Sequence, residues 1–103
     1  MNENFDVKII GTGSDGNSIV IDDKILIDAG LSWKVLSPYL TRKITAVFIT
    51  HEHGDHCNPS IFNRIAQNRP ALLKATYVNK STYHKLELRA NKAARLIPEK
   101  HLA

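Results

Sequence analysis

Ile44-Thr45-Ala46-Val47-Phe48-Ile49-Thr50-His51-Glu52-His53-Gly54-Asp55-His56 is the stretch on which the fold of this chain turns. Positions 44–49 are the most strand-like run in the sequence. Being apolar at most positions, they read as a central strand covered on both faces. A polar turn follows with no gap. Three of the five histidines fall between positions 51 and 56, beside an aspartate and a glycine. Neutral imidazole nitrogen is a good zinc ligand, and a carboxylate adds a hard oxygen. Without a cation, these groups would crowd desolvated polar atoms into one small volume. His51, His53, Asp55 and His56 are therefore the candidate metal ligands.

In an extended segment, residues two apart share a face. That spacing puts His51, His53 and Asp55 on one side, and Gly54 lets the backbone bend to bring in His56. The zinc-protease pattern H-E-x-x-H is not met, because position 55 is aspartate. Glu52 then reads as solvent-facing. Cys57 reads as a further ligand or as a buried structural thiol. Sequence neighbours rarely point at one ion, which favours the thiol.

Upstream of the turn the chain reads as strands and tight connections. Phe5-Asp6-Val7-Lys8-Ile9-Ile10 alternates as a half-buried strand does. Gly11-Thr12-Gly13-Ser14-Asp15-Gly16-Asn17 ends it. Positions 18–21 and 24–28 form a hairpin around Asp22-Asp23. Ala29-Gly30 breaks the sheet, and Ser32 is placed to cap a short helix through Trp33, Val35 and Leu36 that Pro38 limits. Trp33, Leu31 and Leu36 read as core. Downstream, Asn58-Pro59 opens a helix, with Ile61, Phe62 and Ile65 at helical spacing and Asn68-Arg69-Pro70 as its end. Positions 75–78 read as a strand, and Asn79 caps a helix to about Ala90. Strands alternating with helices imply an α/β (α+β) fold, a mixed sheet with helices on one face.

A chain of 103 residues is one domain by length. No basic segment followed by an apolar one opens it, so no signal peptide is expected. No apolar run reaches the roughly 20 residues of a membrane span. A single cysteine excludes an internal disulfide and fits a cytoplasmic setting. The net charge of +4 sits entirely in 80–103, where six Lys/Arg oppose Glu87 and Glu99. Such an end meets a phosphate-bearing partner or is a solvated helix face.

The turn resembles the metal site of the metallo-β-lactamase superfamily. That family carries H-x-H-x-D-H after a buried strand, and positions 51–56 match it at every fixed position. Ile27-Asp28-Ala29-Gly30 is similar to the family's strand-end aspartate, which supports the metal turn from beneath. The glycine-rich stretch 11–18 is similar to the first loop of its phosphodiesterase and nuclease-like members. The resemblance covers about 5–80. It implies that His51 and His53 bind a first metal and that Asp55 and His56 bind a second. It also implies that Asp55 orients the attacking water and that Asp28 supports the site. The implied cofactor is zinc, one or two ions, with manganese as a substitute. A bound zinc brings hydroxide within reach near neutral pH.

The family's fold is a four-layer αββα sandwich of two similar halves, and positions 1–103 have room for one, a single partial domain. Its second half supplies a third histidine, a bridging aspartate and a distal histidine. Here only His84 and His101 remain, and no aspartate follows Asp55. The chain then reads as a piece of a longer hydrolase, as a half that pairs with itself or a partner, or as a small protein without catalysis. A half-sandwich leaves one apolar sheet face open, which predicts a homo-oligomer or a complementing chain. The leading expectation is a metal-dependent hydrolase of a phosphodiester or nucleotide-type substrate. A non-catalytic, self-associating half-domain and a nucleic-acid-binding module on 80–103 are the other two.

Overall fold

The computed structural model describes residues 6–13, 16–54 and 56–103. Phe5, Ser14, Asp15 and Asp55, all singled out in the sequence, lie outside the described residues. The fold is α+β, built on a five-stranded mixed sheet. The strands are β1 (Val7–Gly11), β2 (Ser18–Ile21), β3 (Ile25–Ile27), β4 (Ala46–Phe48) and β5 (Thr76–Tyr77), lying side by side in chain order. β1, β2 and β3 pair antiparallel, whereas β3–β4 and β4–β5 are parallel. The β2–β3 hairpin forms as expected, with Asp22 and Asp23 both at positive φ in its turn. Asp, like Asn, tolerates that conformation better than most residues.

Helices α1 (Trp33–Leu36), α2 (Pro59–Asn68), α3 (Pro70–Leu73), α4 (Lys80–Arg89) and α5 (Asn91–Ala94) make up the rest, with short 3-10 turns at Ser37–Tyr39 and Glu99–His101. Two caps act as the sequence implied. The Asn58 side chain accepts from the Ser60 N–H, with Pro59 in the first turn of α2. The Asn79 side chain accepts from the Thr82 N–H at the start of α4. Ser32 stands before α1 but makes no side-chain cap bond. Helices α3 and α5 have no signal in the sequence pattern.

The register separates two sheet faces sharply. Val20, Leu26, Val47 and Thr76 align across the strands and are buried. They sit on the helical side, where the aliphatic ones join Phe62, Ile65 and Leu86 in one core. The opposite face aligns Val7, Ile21, Ile25 and Ala46 in one row. Ile9, Ile19, Ile27, Phe48 and Tyr77 form the next. Among the described residues, none on this face is buried, and Ile9 is 66% and Val7 52% exposed. Phe48 and Tyr77 stack there with ring centroids 4.7 Å apart.

The reading of β4 as covered on both faces is therefore corrected. Its Val47 is buried, but Phe48 is 39% exposed, because helices pack on one side of the sheet only. β4 is also shorter than 44–49, since its ladder ends where β3 and β5 end. Residues 44 and 49 are buried all the same. The half-buried reading of β1 holds only at Ile10, which packs against the core: β1 is a sheet edge, and its Val7 and Ile9 project to the uncovered face.

Candidate metal centre

The histidine turn leaves the C-terminal end of β4, and a carboxylate from the end of β3 holds it. Asp28 is 7% exposed and sits at φ 64, the left-handed region that a non-glycine residue enters at a cost of about 1 kcal/mol. Oδ1 of Asp28 accepts from the Thr50 backbone N–H at 2.7 Å and from the Thr50 hydroxyl at 2.9 Å. Oδ2 meets His56 Nδ1 at 2.8 Å. Charge-assisted bonds of this kind contribute roughly 1.5–3 kcal/mol each and offset the backbone strain. The neighbouring backbone adds two more ties: the Ala29 N–H donates to the His56 carbonyl, and the Asn58 N–H donates to the Ala29 carbonyl, both at 2.8 Å.

This arrangement sets ring orientation at two histidines. An ionised carboxylate only accepts, so His56 Nδ1 carries the proton and donates. The Thr50 hydroxyl has one proton, which goes to Asp28. Its oxygen therefore accepts from His51 Nδ1, 2.9 Å away. One carboxylate thus sets the tautomer of His56 directly and of His51 through Thr50. A histidine anchored through Nδ1 ligates through Nε2.

The structure brings His51 and His56 together, with ring centroids 4.8 Å apart. His53 lies beside His51, their rings near parallel at 6.3 Å. Asp55 lies outside the described residues. Among the described residues, no group of three or more His, Cys, Asp or Glu side chains is arranged to hold an ion. The donor types and the Nδ1 anchoring suit zinc, and the described part of the turn forms no closed cage.

The extended reading of the turn is corrected. The His56 and Cys57 N–H groups both bond the His53 carbonyl, at 2.9 and 2.8 Å, so the chain coils back at 53–57. Gly54 is not what permits this. It is not among the glycines at positive φ, and an added Cβ would meet open space. Gly16 is the demanding glycine: at φ +139, an added Cβ would come within 2.6 Å of Leu31 and 2.9 Å of the Gly30 carbonyl. It thus packs the glycine loop against the Asp28-Ala29-Gly30 segment, where the Ser18 hydroxyl also donates to the Asp28 carbonyl at 2.8 Å.

The remaining candidates separate cleanly. His84 is exposed and pairs loosely with Glu87. His101 stacks on Tyr77 at 3.9 Å, with Nδ1 3.2 Å from the Thr76 carbonyl, on the β5 side of the sheet. Trp33 packs against the core, with Arg64 over its ring. Glu52 is half-buried and not fully solvent-facing, and it lines a groove with Lys80, His84, Lys85 and Arg89. Two residues that tie down the turn are not legible in the sequence: Thr50, whose carboxylate partner lies 22 residues away, and Lys85, which bonds the turn's backbone from α4.

Cys57 is fully buried in the core, as the thiol reading expected. Burial pushes its thiol up to about 11, opposed by the Lys85 ammonium and reinforced by the Asp28 charge. In the metal-free chain the thiol is therefore protonated at neutral pH.

Residues 23–101 match the beta-lactamase superfamily domain, so the chain belongs to that family. The match starts after the glycine loop and runs past the 80 to which the motif resemblance extended. One relative is an "Exodeoxyribonuclease WalJ" of Streptococcus pneumoniae, 43% identical over 61 residues, covering 50% of this chain and 23% of that protein. Another is a "UPF0173 metal-dependent hydrolase" of Staphylothermus marinus, 45% identical over 56 residues, covering 52% of this chain and 24% of that protein. The chain thus spans about a quarter of the length of these relatives. No solved structure gives a significant match. Among the described residues, no helix is long and apolar enough to cross a membrane.

In the native, metal-free chain at pH 8, Cys57 is expected to react with a thiol reagent more than about 100-fold slower than in denaturant, because its thiolate is scarce below the raised pKa. Absorbance-monitored labelling checks this, and comparable rates contradict it.

Proposed function

We propose that this chain is the metal-binding part of a metal-dependent hydrolase that cleaves phosphodiester bonds of a nucleic-acid or nucleotide substrate. The observation that carries the reading is the pair His51 and His56, oriented by the single carboxylate of Asp28 at the end of a parallel strand. Residues at strand C-termini in parallel sheets are where ligands gather. His51 and His53 would hold a first ion, and Asp55 and His56 a second. Zinc suits this donor set and manganese could replace it. A bound zinc would bring the ionisation of a water toward neutral pH.

The chain's own contributions are positional. Asp28 and Thr50 hold two imidazoles in the Nδ1–H form. Asp55 would orient the attacking water. Lys80 and Arg89, on the groove that reaches Glu52, offer positive charge to a phosphate-bearing substrate beside the turn. The relatives' names, an exodeoxyribonuclease and a metal-dependent hydrolase, support the same class of chemistry. A buried, unpaired thiol at Cys57 suits a reducing, cytoplasmic setting.

Wild-type protein dialysed against zinc is expected to retain it stoichiometrically by elemental analysis. It is also expected to hydrolyse bis-(p-nitrophenyl) phosphate in a metal-dependent way. A His53→Ala, Asp55→Ala variant is expected to lose both. Equal zinc content and equal turnover in the two proteins would overturn the reading.

A second reading draws on the uncovered sheet face. We infer that residues 1–103 form a partial domain whose open face, rich in Ile and aromatic side chains, pairs with a second copy or a complementing chain. Two sheets packed face to face sit about 10 Å apart and bury such rows together. Sedimentation is expected to show association that Ile9→Lys, Phe48→Glu abolishes. A wild-type chain that stays monomeric at high concentration contradicts this.

A further inference from the structure

Lys85 projects from the middle of α4, and its ammonium ends on the backbone of the histidine turn. Nζ donates to the Glu52 carbonyl at 2.5 Å and to the Cys57 carbonyl at 3.0 Å. Those two carbonyls bracket His53 and His56. The side chain is half-buried, so the two bonds are shielded in part from competing water.

We propose that Lys85 is a positioning residue for the metal turn: by gripping both ends of 52–57 it holds the coil that carries His53 and His56. The proposal rests on the metal reading above for its purpose, but not for the grip itself. The contacts are to main-chain oxygens, so they act on the path of the turn and not on any ligand side chain. They also complement the other anchors. Asp28 fastens the turn at Thr50, and Ala29 fastens it at His56 and Asn58. Lys85 adds a hold at Glu52, next to His53, from a helix on the other side of the sequence. An ammonium has three donors and no acceptor, so it can bridge two carbonyls that no single neutral hydroxyl could serve.

The charge makes the proposal decidable. A lysine that is merely near a cation site repels the cation, and removing it strengthens metal binding. A lysine that shapes the site supports binding, and removing it weakens binding. The two roles predict opposite signs.

The experiment compares wild type, Lys85→Met and Lys85→Arg. In metal-free protein, hydrogen exchange is read at the His56 and Cys57 amides, which bond the His53 carbonyl, with the Val47 amide as a check on the fold. Lys85→Met is expected to speed exchange at 56 and 57 by about 10-fold or more, the loss of charge-assisted bonds, and to leave Val47 unchanged. Lys85→Arg, which keeps donors and charge, is expected to restore protection. Zinc affinity by chelator competition is expected to fall about 10- to 100-fold in Lys85→Met, the range for lost outer-sphere support. Unchanged exchange at 56 and 57, or zinc bound as tightly or more tightly by Lys85→Met, overturns the proposal. So does equal acceleration at Val47 in both variants, which would mark Lys85 as a general stabiliser. If wild type takes up no zinc while the exchange difference stands, the grip is supported and the metal reading fails.

Discussion

The structure depends on one carboxylate held in an unfavourable backbone conformation. Asp28 ends β3 in the left-handed region and uses both oxygens to join the two parallel strands' C-terminal ends. Aspartate suits the position for two reasons. It tolerates positive φ better than most side chains, and its short arm keeps the carboxylate beside the backbone it must bind. Glutamate would place the charge a methylene too far, and asparagine would offer an amide where Thr50 and His56 both present donors. The strain at Asp28 is tolerated because three donors converge on it. That convergence sets three features of the candidate site: the start of the turn at Thr50, the ring of His56, and through Thr50 the ring of His51.

The sheet explains why such an anchor is needed. β3 and β4 are three residues long, and β5 is two. Ladders this short cannot define a long loop by themselves. The chain instead stitches the turn from several directions, with Asp28 and Ala29 beneath it and Lys85 reaching over from α4. The glycine loop contributes indirectly, since Gly16 allows Leu31 and Gly30 to pack closely against it. The uncovered sheet face is the counterpart of this economy. Helices cover one side, and the rows from Val7 to Ala46 and from Ile9 to Tyr77 are apolar without a layer over them. The family match covers 23–101, and the stretch aligned to the exodeoxyribonuclease relative is about a quarter of that protein's length.

Local signals in the sequence translated well. The Asn58-Pro59 and Asn79 helix starts are legible because a cap and the N–H it accepts from lie within three residues. The β2–β3 hairpin was legible because two aspartates at a turn interrupt two β-branched runs. The histidine cluster and Asp28 were legible because their types and spacing are rare. What escaped was set at long range. The length of β4 depends on where β3 and β5 stop, and the exposure of Phe48 depends on helices packing against the other face only, neither of which a hydrophobic run encodes. Helices α3 and α5, four residues each, are too short to be stable from propensity and exist by packing. Alternation misplaces the path of the turn because it assumes an extended chain, whereas two amides bond back to the His53 carbonyl. Lys85 looked like one more charge on a basic helix, and only the fold shows its carbonyl partners 33 and 28 residues away.

The central claim is that Asp28 dictates the protonated nitrogen of two histidines. Long-range proton–nitrogen correlation spectra of the metal-free protein, at a pH where the imidazoles are neutral, read it directly. The account requires His51 and His56 both to carry the proton on Nδ1, and Asp28→Ala to release both from that form together. Protonation at Nε2 in the wild type, or a pattern indifferent to the loss of Asp28, would contradict it.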